Sequence, residues 1–207
     1  MENNQRLDAD AVDALQELGN IGMGNAMTAL YELTRHRLDM HVPKLQIVTY
    51  HNIYDLLENI DDILAAVLLP LTGDIEGAFI FIMDERLALA LMNLVAGEAP
   101  EGIIALEEMD RSVLCEVGNI ISGAYVSALA NMTELCFNAG LPALCVDMGG
   151  AILGNSLFPF LHDSDDILFI ETGFYLNNED YSGRIMFLPK GPSLDRIIQR
   201  LGVMSYG

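Results

Sequence analysis

Two stretches decide the fold: ALQELGNIGMGNAMTAL at residues 14–30 and VLCEVGNIISGAYVSAL at 113–129, which align without a gap at an offset of 99. The same offset carries Pro43 onto Pro142. Further on, TGDIEGAFIFIM (72–83) resembles NNEDYSGRIMFL (177–188), with Asp74 against Asp180 and Gly77 against Gly183 at an offset of 106. The second half has therefore gained about seven residues, which the acidic run HDSDD (162–166) can absorb as a loop. Self-similarity at a fixed period means one supersecondary unit used twice. The expected organisation is a single domain over 1–207 made of two pseudo-repeats, about 9–100 and 105–203.

Outward from these stretches, each half reads as helix, strand, short irregular piece, two hairpin strands and helix. Apolar or small residues at 12, 15, 19, 22, 26, 29 and 33 have the 3- and 4-residue spacing of one buried stripe on a helix over about 9–35. LQIVTY after Pro43 is a strand, since β-formers dominate and proline is tolerated at a strand start. Strands at 65–71 and 78–83 pair around Gly73-Asp74, and Asp84 caps a helix that ends at Gly97. The second half predicts a helix over about 107–136, strands near 143–149, 167–175 and 183–189, and a helix over 193–201. The fold class is α+β, with internal pseudo-twofold symmetry and two long site-bearing helices packed with antiparallel sheet.

The polar side of the two long helices carries the more specific signal. Asp13, Glu17 and Asn20 stand at i, i+4 and i+7, and Ser112, Glu116 and Asn119 repeat the spacing. At 100° per residue each trio falls within about 60°, opposite the apolar stripe. The next position on that face is Gly24 in one copy and Gly123 in the other, where glycine costs about 1 kcal/mol relative to alanine. A bare spot beside an amide lets another molecule come close. Gly19 and Gly118 lie about 100° away and are read as close helix packing. A single Glu-x-x-Asn on a helix is ordinarily a solvated face. Here, however, Glu and Asn persist in both copies while neighbouring Gln16, Asn25 and Met27 become Cys115, Ala124 and Val126.

Asparagine is no general base near neutral pH, but its donors and acceptor can hold a water in one orientation. Such positioning is much of the catalysis of phosphoryl transfer, whose transition state is loose. The carboxylate would then anchor a cation on a partner, and any metal would arrive with the substrate.

Composition narrows the alternatives. Of 207 residues, 52% are hydrophobic and 19% charged, a core-forming balance that excludes disorder. Thirty acidic against 10 basic residues give a formal charge of -20, which repels nucleic-acid backbones and anionic lipid. That charge serves solubility, or encounter with a target that presents cations. Cys115, Cys136 and Cys145 match no zinc or disulfide framework and read as small core residues in a reducing compartment. His36, His41, His51 and His162 lack metal-ligand spacing and read as surface or strand residues, and most of the eleven methionines read as core. GNIGMGN (19–25) lies inside a helical pattern with no preceding strand, which rules out a phosphate loop. Ser112 has no positioned histidine to activate it, so it is a cap, a partner contact or plain surface. The polar, acidic start and the shortness of the uninterrupted apolar runs predict a cytoplasmic chain.

The spacing Asp or Ser, three residues, Glu, two residues, Asn, 22 residues, Pro resembles the signature of the CheC, CheX and FliY phosphatases of bacterial chemotaxis. It occurs twice here, as Asp13, Glu17, Asn20 and Pro43 and as Ser112, Glu116, Asn119 and Pro142, together with family-like GNIG (19–22), TGDIEG (72–77) and VSALA (126–130). Length favours a CheC-type chain. The resemblance implies hydrolysis of the aspartyl phosphate of the response regulator CheY, with Asn20 and Asn119 orienting the attacking water and Glu17 and Glu116 pairing with the receiver's lysine. It implies no cofactor on this chain, Mg2+ in the receiver's own pocket, and the deamidase CheD as a second partner. CheD is assigned to the stretch after Pro142, around Asp147, for which a turn or strand end is the plain alternative. A module that only sequesters CheD or docks to the flagellar switch is the competing function. A monomer is expected, because the repeat already supplies a twofold arrangement.

Overall fold

The computed structural model describes residues 9–36, 38–41, 43–49, 52–53, 56, 60–156, 166–176 and 178–204. Helix α1 (Ala9–Thr34) leads into strands β1 (Asp39–Met40) and β2 (Lys44–Thr49), then the hairpin β3 (Ile63–Gly73) and β4 (Gly77–Met83), and helix α2 (Glu85–Ala96). The second half has α3 (Glu108–Thr133), β5 (Phe137–Ala139), β6 (Ala143–Met148), the hairpin β7 (Asp166–Leu176) and β8 (Glu179–Pro189), and α4 (Ser193–Met204). The bounds of α1 and α3, and of β2 and β6, stand 99 residues apart, and those of β4 and β8 end 106 apart.

Among the described residues eight strands form one antiparallel sheet, ordered β1-β7-β8-β4-β3-β5, with β2 also on β7 and β6 also on β3. The halves interlock. The early strands of the first half pair with the hairpin of the second, those of the second pair with the hairpin of the first, and β4 meets β8 at the centre, Ile80 opposite Met186. The central strands are buried on both faces, which explains why AFIFIM is apolar without alternation. One face packs on the helices through Phe79, Phe81, Phe174 and Phe187. The other holds a second cluster with Ile80, Ile82, Phe169 and Met186, covered by Ile53, Ile152 and Leu153 from the β2–β3 and β6–β7 connections.

Local signals explain the helix ends. Asp84 accepts from the Leu87 amide at 2.7 Å to start α2, and Gly97 closes it with φ 80, a left-handed conformation glycine enters without strain. Asp110 Oδ2 accepts from the Glu107 amide at 2.9 Å to fasten the start of α3. β1, β5 and a π-helical turn at Ile152–Ser156 are absent from the sequence reading because such short pieces carry no periodic signal.

Several expectations need correction. The buried stripe of α1 is Ala11, Leu15, Leu18, Gly19, Gly22, Ala26 and Leu30, whereas Val12 and Leu33 are exposed. Tyr31, Glu32 and Leu33 are all exposed, so the last turn runs past the core it was assumed to cover. The cysteines are not core residues: Cys136 is exposed and Cys115 and Cys145 are half-buried, with burial and Asp147 raising the Cys145 thiol pKa. Among the methionines, Met109 and Met148 are exposed. His51, His162 and nearly all of HDSDD lie outside the described residues. Although short uninterrupted apolar runs argued otherwise, α3 is long and apolar enough to cross a membrane, with hydropathy 1.5 over its most apolar window. Of that window 56% is buried within the protein, as in a core helix.

Candidate functional site

The two long helices lie against each other on the sheet, and their packing sets which side of each remains open. Gly22 of α1 faces the ring of Tyr125 on α3, where an added Cβ would come within 2.5 Å of the ring. Tyr125 is fully buried. Burial raises its phenol pKa, partly offset by the hydroxyl of Thr172. The close helix approach is therefore at Gly22, not at Gly19 and Gly118. Gly19 faces Leu45 and Pro43, while a Cβ on Gly118 would overlap all three side-chain carbons of Val67. Both glycines are structural, but what they admit is a strand side chain.

With one side of each helix committed to packing, the polar trios face outward. Asp13 and Glu17 are exposed and Asn20 is half-buried; Ser112 and Glu116 are exposed and Asn119 is half-buried. Gly24 and Gly123 have nothing within 4 Å of where a side chain would begin, so the bare spot beside each amide is open space. Among the described residues, no hydrogen bond or ion pair engages the side chains of Glu17, Asn20, Glu116 or Asn119. Two carboxamides and two carboxylates are thus displayed without a structural task. Ser112 is not a cap: its hydroxyl donates to Glu108 O at 2.9 Å, back along its own helix, leaving oxygen lone pairs available to accept.

The motif prolines stand behind this surface. Pro43 is buried, its ring lies against Gly19, and its carbonyl accepts from Gln16 Nε2 at 3.0 Å, clamping the start of β2 to α1 next to Asn20. Pro142 is half-buried, and the corresponding tie is made by Arg111, whose guanidinium donates to Leu144 O at 3.5 Å. Both ties were missed in the sequence, where Gln16 and Arg111 differ in kind and in position. Asp147 is exposed at the end of β6, its carboxylate accepting from the Met148 amide at 2.8 Å, as a strand-end residue can.

The acidic turn TGDIEG has a mechanical role. Asp74 accepts from the Cys136 amide and donates its own to Cys136 O, both at 2.9 Å, and its carbonyl accepts from Arg196 at 2.9 Å. The Glu76 amide donates to Ser193 Oγ at 3.0 Å. The turn locks the β3–β4 hairpin to the end of α3 and the start of α4. His41 pairs with Asp180 at 2.9 Å on the surface. Among the described residues, no group of three or more His, Cys, Asp or Glu is placed to hold a metal ion.

Comparison with known proteins finds similar chains over most of this one's length. A model of the CheC-like family matches residues 11–47, and one of the chemotaxis phosphatase CheX matches residues 65–161. The chain is 28% identical over 197 residues to the CheY-P phosphatase CheC of Bacillus subtilis, covering 93% of this chain and 94% of that one. Among solved structures, Thermotoga maritima FliY superposes with a TM-score of 0.75 at 19% identity, over 95% of this chain and 98% of that one. The FliM middle domain of H. pylori superposes at 0.68 with 6% identity, over 94% and 99%. At these identities the structural matches establish the fold alone.

Proposed function

We propose that this chain, parts of which match the CheC-like and CheX family models, belongs with the CheC, CheX and FliY chemotaxis proteins and is a cytoplasmic phosphatase that hydrolyses the aspartyl phosphate of CheY. The observation that carries the reading is the pair of uncommitted Glu and Asn side chains, repeated on α1 and α3, each beside a glycine with open space above it. A phosphorylated receiver docking there meets little side-chain bulk next to the amide. Asn20 or Asn119 then holds a water by its carbonyl oxygen and NH2 group in line with the phosphorus–oxygen bond to be broken. Glu17 or Glu116 accepts from the receiver's lysine and fixes the docking register. The required Mg2+ belongs to the receiver's acidic pocket, where it neutralises charge developing on the phosphoryl oxygens.

The test is CheY-P decay with the parent chain and with Asn20→Ala, Asn119→Ala and both changes. Each single variant is expected to keep part of the acceleration. The double variant should lose nearly all of it, about a hundredfold, as expected for a lost positioning group. Undiminished decay with the double variant sinks the water-orienting assignment.

A second reading is favoured by the FliM likeness, since the same fold serves in flagellar-switch proteins: a docking or CheD-sequestering module with no turnover of its own. Intact Glu and Asn in both copies count against it, and the decay assay separates the two readings. CheD is proposed as a second partner on the β6 side around Asp147. Asp147→Lys should abolish CheD pull-down while CheY-P hydrolysis continues, and unchanged capture removes that surface.

A further inference from the structure

The part of α1 beyond its amide differs from the same part of α3. Gly24, Met27 and Tyr31 all lie within about 40° of Asn20 around the helix, so they continue the line that Asp13 and Glu17 begin. Tyr31 is 50% exposed, and among the described residues no hydrogen bond or ring contact engages its side chain. Met27 is half-buried, with its inner side packed on the core. The Cα–Cβ bonds of a helix tilt toward its N-terminus, which directs the Tyr31 side chain back over the turn at Met27 and toward Gly24. The open space above Gly24 is therefore a saddle, with Asn20 at one end and Tyr31 at the other.

On α3 the far wall is missing. The offset of 99 carries Met27 onto Val126, which is buried, and Tyr31 onto Ala130, which is half-buried. The open space above Gly123 thus has Asn119 at one end and only a methyl group at the other. From Asp13 to Tyr31 the α1 ridge is about 27 Å long, against about 32 Å across a standard interface of about 800 Å2 per partner. One docked domain can therefore touch the acids, the amide and the ring together. A single exposed tyrosine is ordinary on a protein surface. This one is aligned with an uncommitted amide and a bare glycine, and tyrosine and methionine are residue types enriched in interfaces.

We propose that Tyr31, supported by Met27, is a docking residue of the α1 site: it grips the phosphorylated receiver seated over Gly24 and gives that site a higher affinity for CheY-P than the α3 site has. The proposal rests on the phosphatase reading for its occupant. Tyr31 stands about 16 Å along the helix from Asn20, whereas reacting groups must meet at about 3 Å. The ring therefore acts in docking and not on the reacting atoms, so its loss changes KM and not kcat.

Steady-state hydrolysis of CheY-P is measured in two backgrounds, Asn119→Ala, which leaves the α1 site, and Asn20→Ala, which leaves the α3 site. The first background should have the lower KM. Adding Tyr31→Ser is expected to raise KM roughly tenfold there, with kcat within about twofold, and to change nothing in the second background. Tyr31 is half exposed and outside the core, so the variant folds. A KM no lower in the first background, an unchanged KM on adding Tyr31→Ser, or an equal rise in both backgrounds overturns the proposal, while continued hydrolysis leaves the phosphatase reading in place. Turnover is bypassed by titrating beryllofluoride-loaded CheY, a stable mimic of the aspartyl phosphate, into the chain with both asparagines intact. Tyr31→Ser should weaken the tighter of two binding sites, and two unaltered sites also overturn the proposal. If neither background hydrolyses CheY-P yet Tyr31→Ser weakens one site in the titration, the asparagine assignment fails and the docking role stands. A parent chain that neither hydrolyses CheY-P nor binds the loaded receiver sinks both.

Discussion

Gly19 and Gly118 occupy the same position of the repeat, and their surroundings differ. Gly19 is filled by the flexible end of Leu45 and the ring of Pro43, whereas Gly118 is filled by Val67, a β-branched residue fully buried on β3. Thus α1 leans on β2 of its own half, while α3 leans on β3 of the other. The helix contact is lopsided in the same way. The pair Gly22 and Tyr125 becomes Ile121 and Ala26 when the offset of 99 is applied, so glycine under a large aromatic ring in one direction corresponds to isoleucine and alanine in the other. The difference teaches that the inward face is free to diverge as long as total volume fits. The outward Glu and Asn stay the same in both halves, although no packing requires it.

The largest expected effect that sharpens this comparison is on activity. The two single asparagine variants should differ from each other by far less than either differs from the double variant, a gap of about two orders of magnitude in CheY-P decay. Two singles as inactive as the double would mean that the copies act as one site.

Stability comes next. Gly118→Ala should cost about 2–3 kcal/mol, because buried Val67 has no room to retreat, and Gly19→Ala about 1 kcal/mol, because the end of Leu45 can swing aside. Thermal melts would read this as a drop of roughly 2–4 °C per kcal/mol for a chain of this size. Equal losses would show that the two halves pack alike after all.

The outward glycines predict the opposite sign. Gly24→Ala and Gly123→Ala meet open space in a helix interior, so each should stabilise by up to about 1 kcal/mol while slowing CheY-P decay at its own site. A gain in stability with undiminished hydrolysis would remove the bare spot from the mechanism.

The smallest effect concerns Tyr125, whose buried hydroxyl, like that of Thr172, makes no hydrogen bond of normal geometry. Tyr125→Phe should stay within about 0.5 kcal/mol of the parent near neutral pH. The folded-state phenol has a raised pKa, so its contribution is complete below the ordinary tyrosine value of about 10 and is lost as pH rises above it. Denaturant melts between about pH 10 and 11 should therefore fall less steeply for Tyr125→Phe, by up to about 1.4 kcal/mol per pH unit.

Much of the fold was legible. The helices, the hairpins and the central strands follow from periodicity, caps and turn residues, and α2 ends where Asp84 and Gly97 place it. The short strands β1 and β5 were illegible, because two or three residues hold no pattern and form only where β7 and β3 already offer an edge. Val12 and Leu33 misled because a stripe read along a helix carries no information on where the sheet beneath it stops. The trio spacings were read without structure, since helical phase alone gathers residues at i, i+4 and i+7 on one side.

By itself the sequence determined that two helices each carry Glu, Asn and a following glycine on one side, because that grouping depends only on 3.6 residues per turn and on the repeat of the pattern. Tertiary structure decided that these sides face outward, that Gln16 and Arg111 tie the following strands to the helices by different means, and that Leu141 stands exposed beside Pro142. The reason is that burial and strand partnership are properties of the assembled sheet. Each half completes the sheet of the other, and no local stretch of chain encodes which neighbour will arrive.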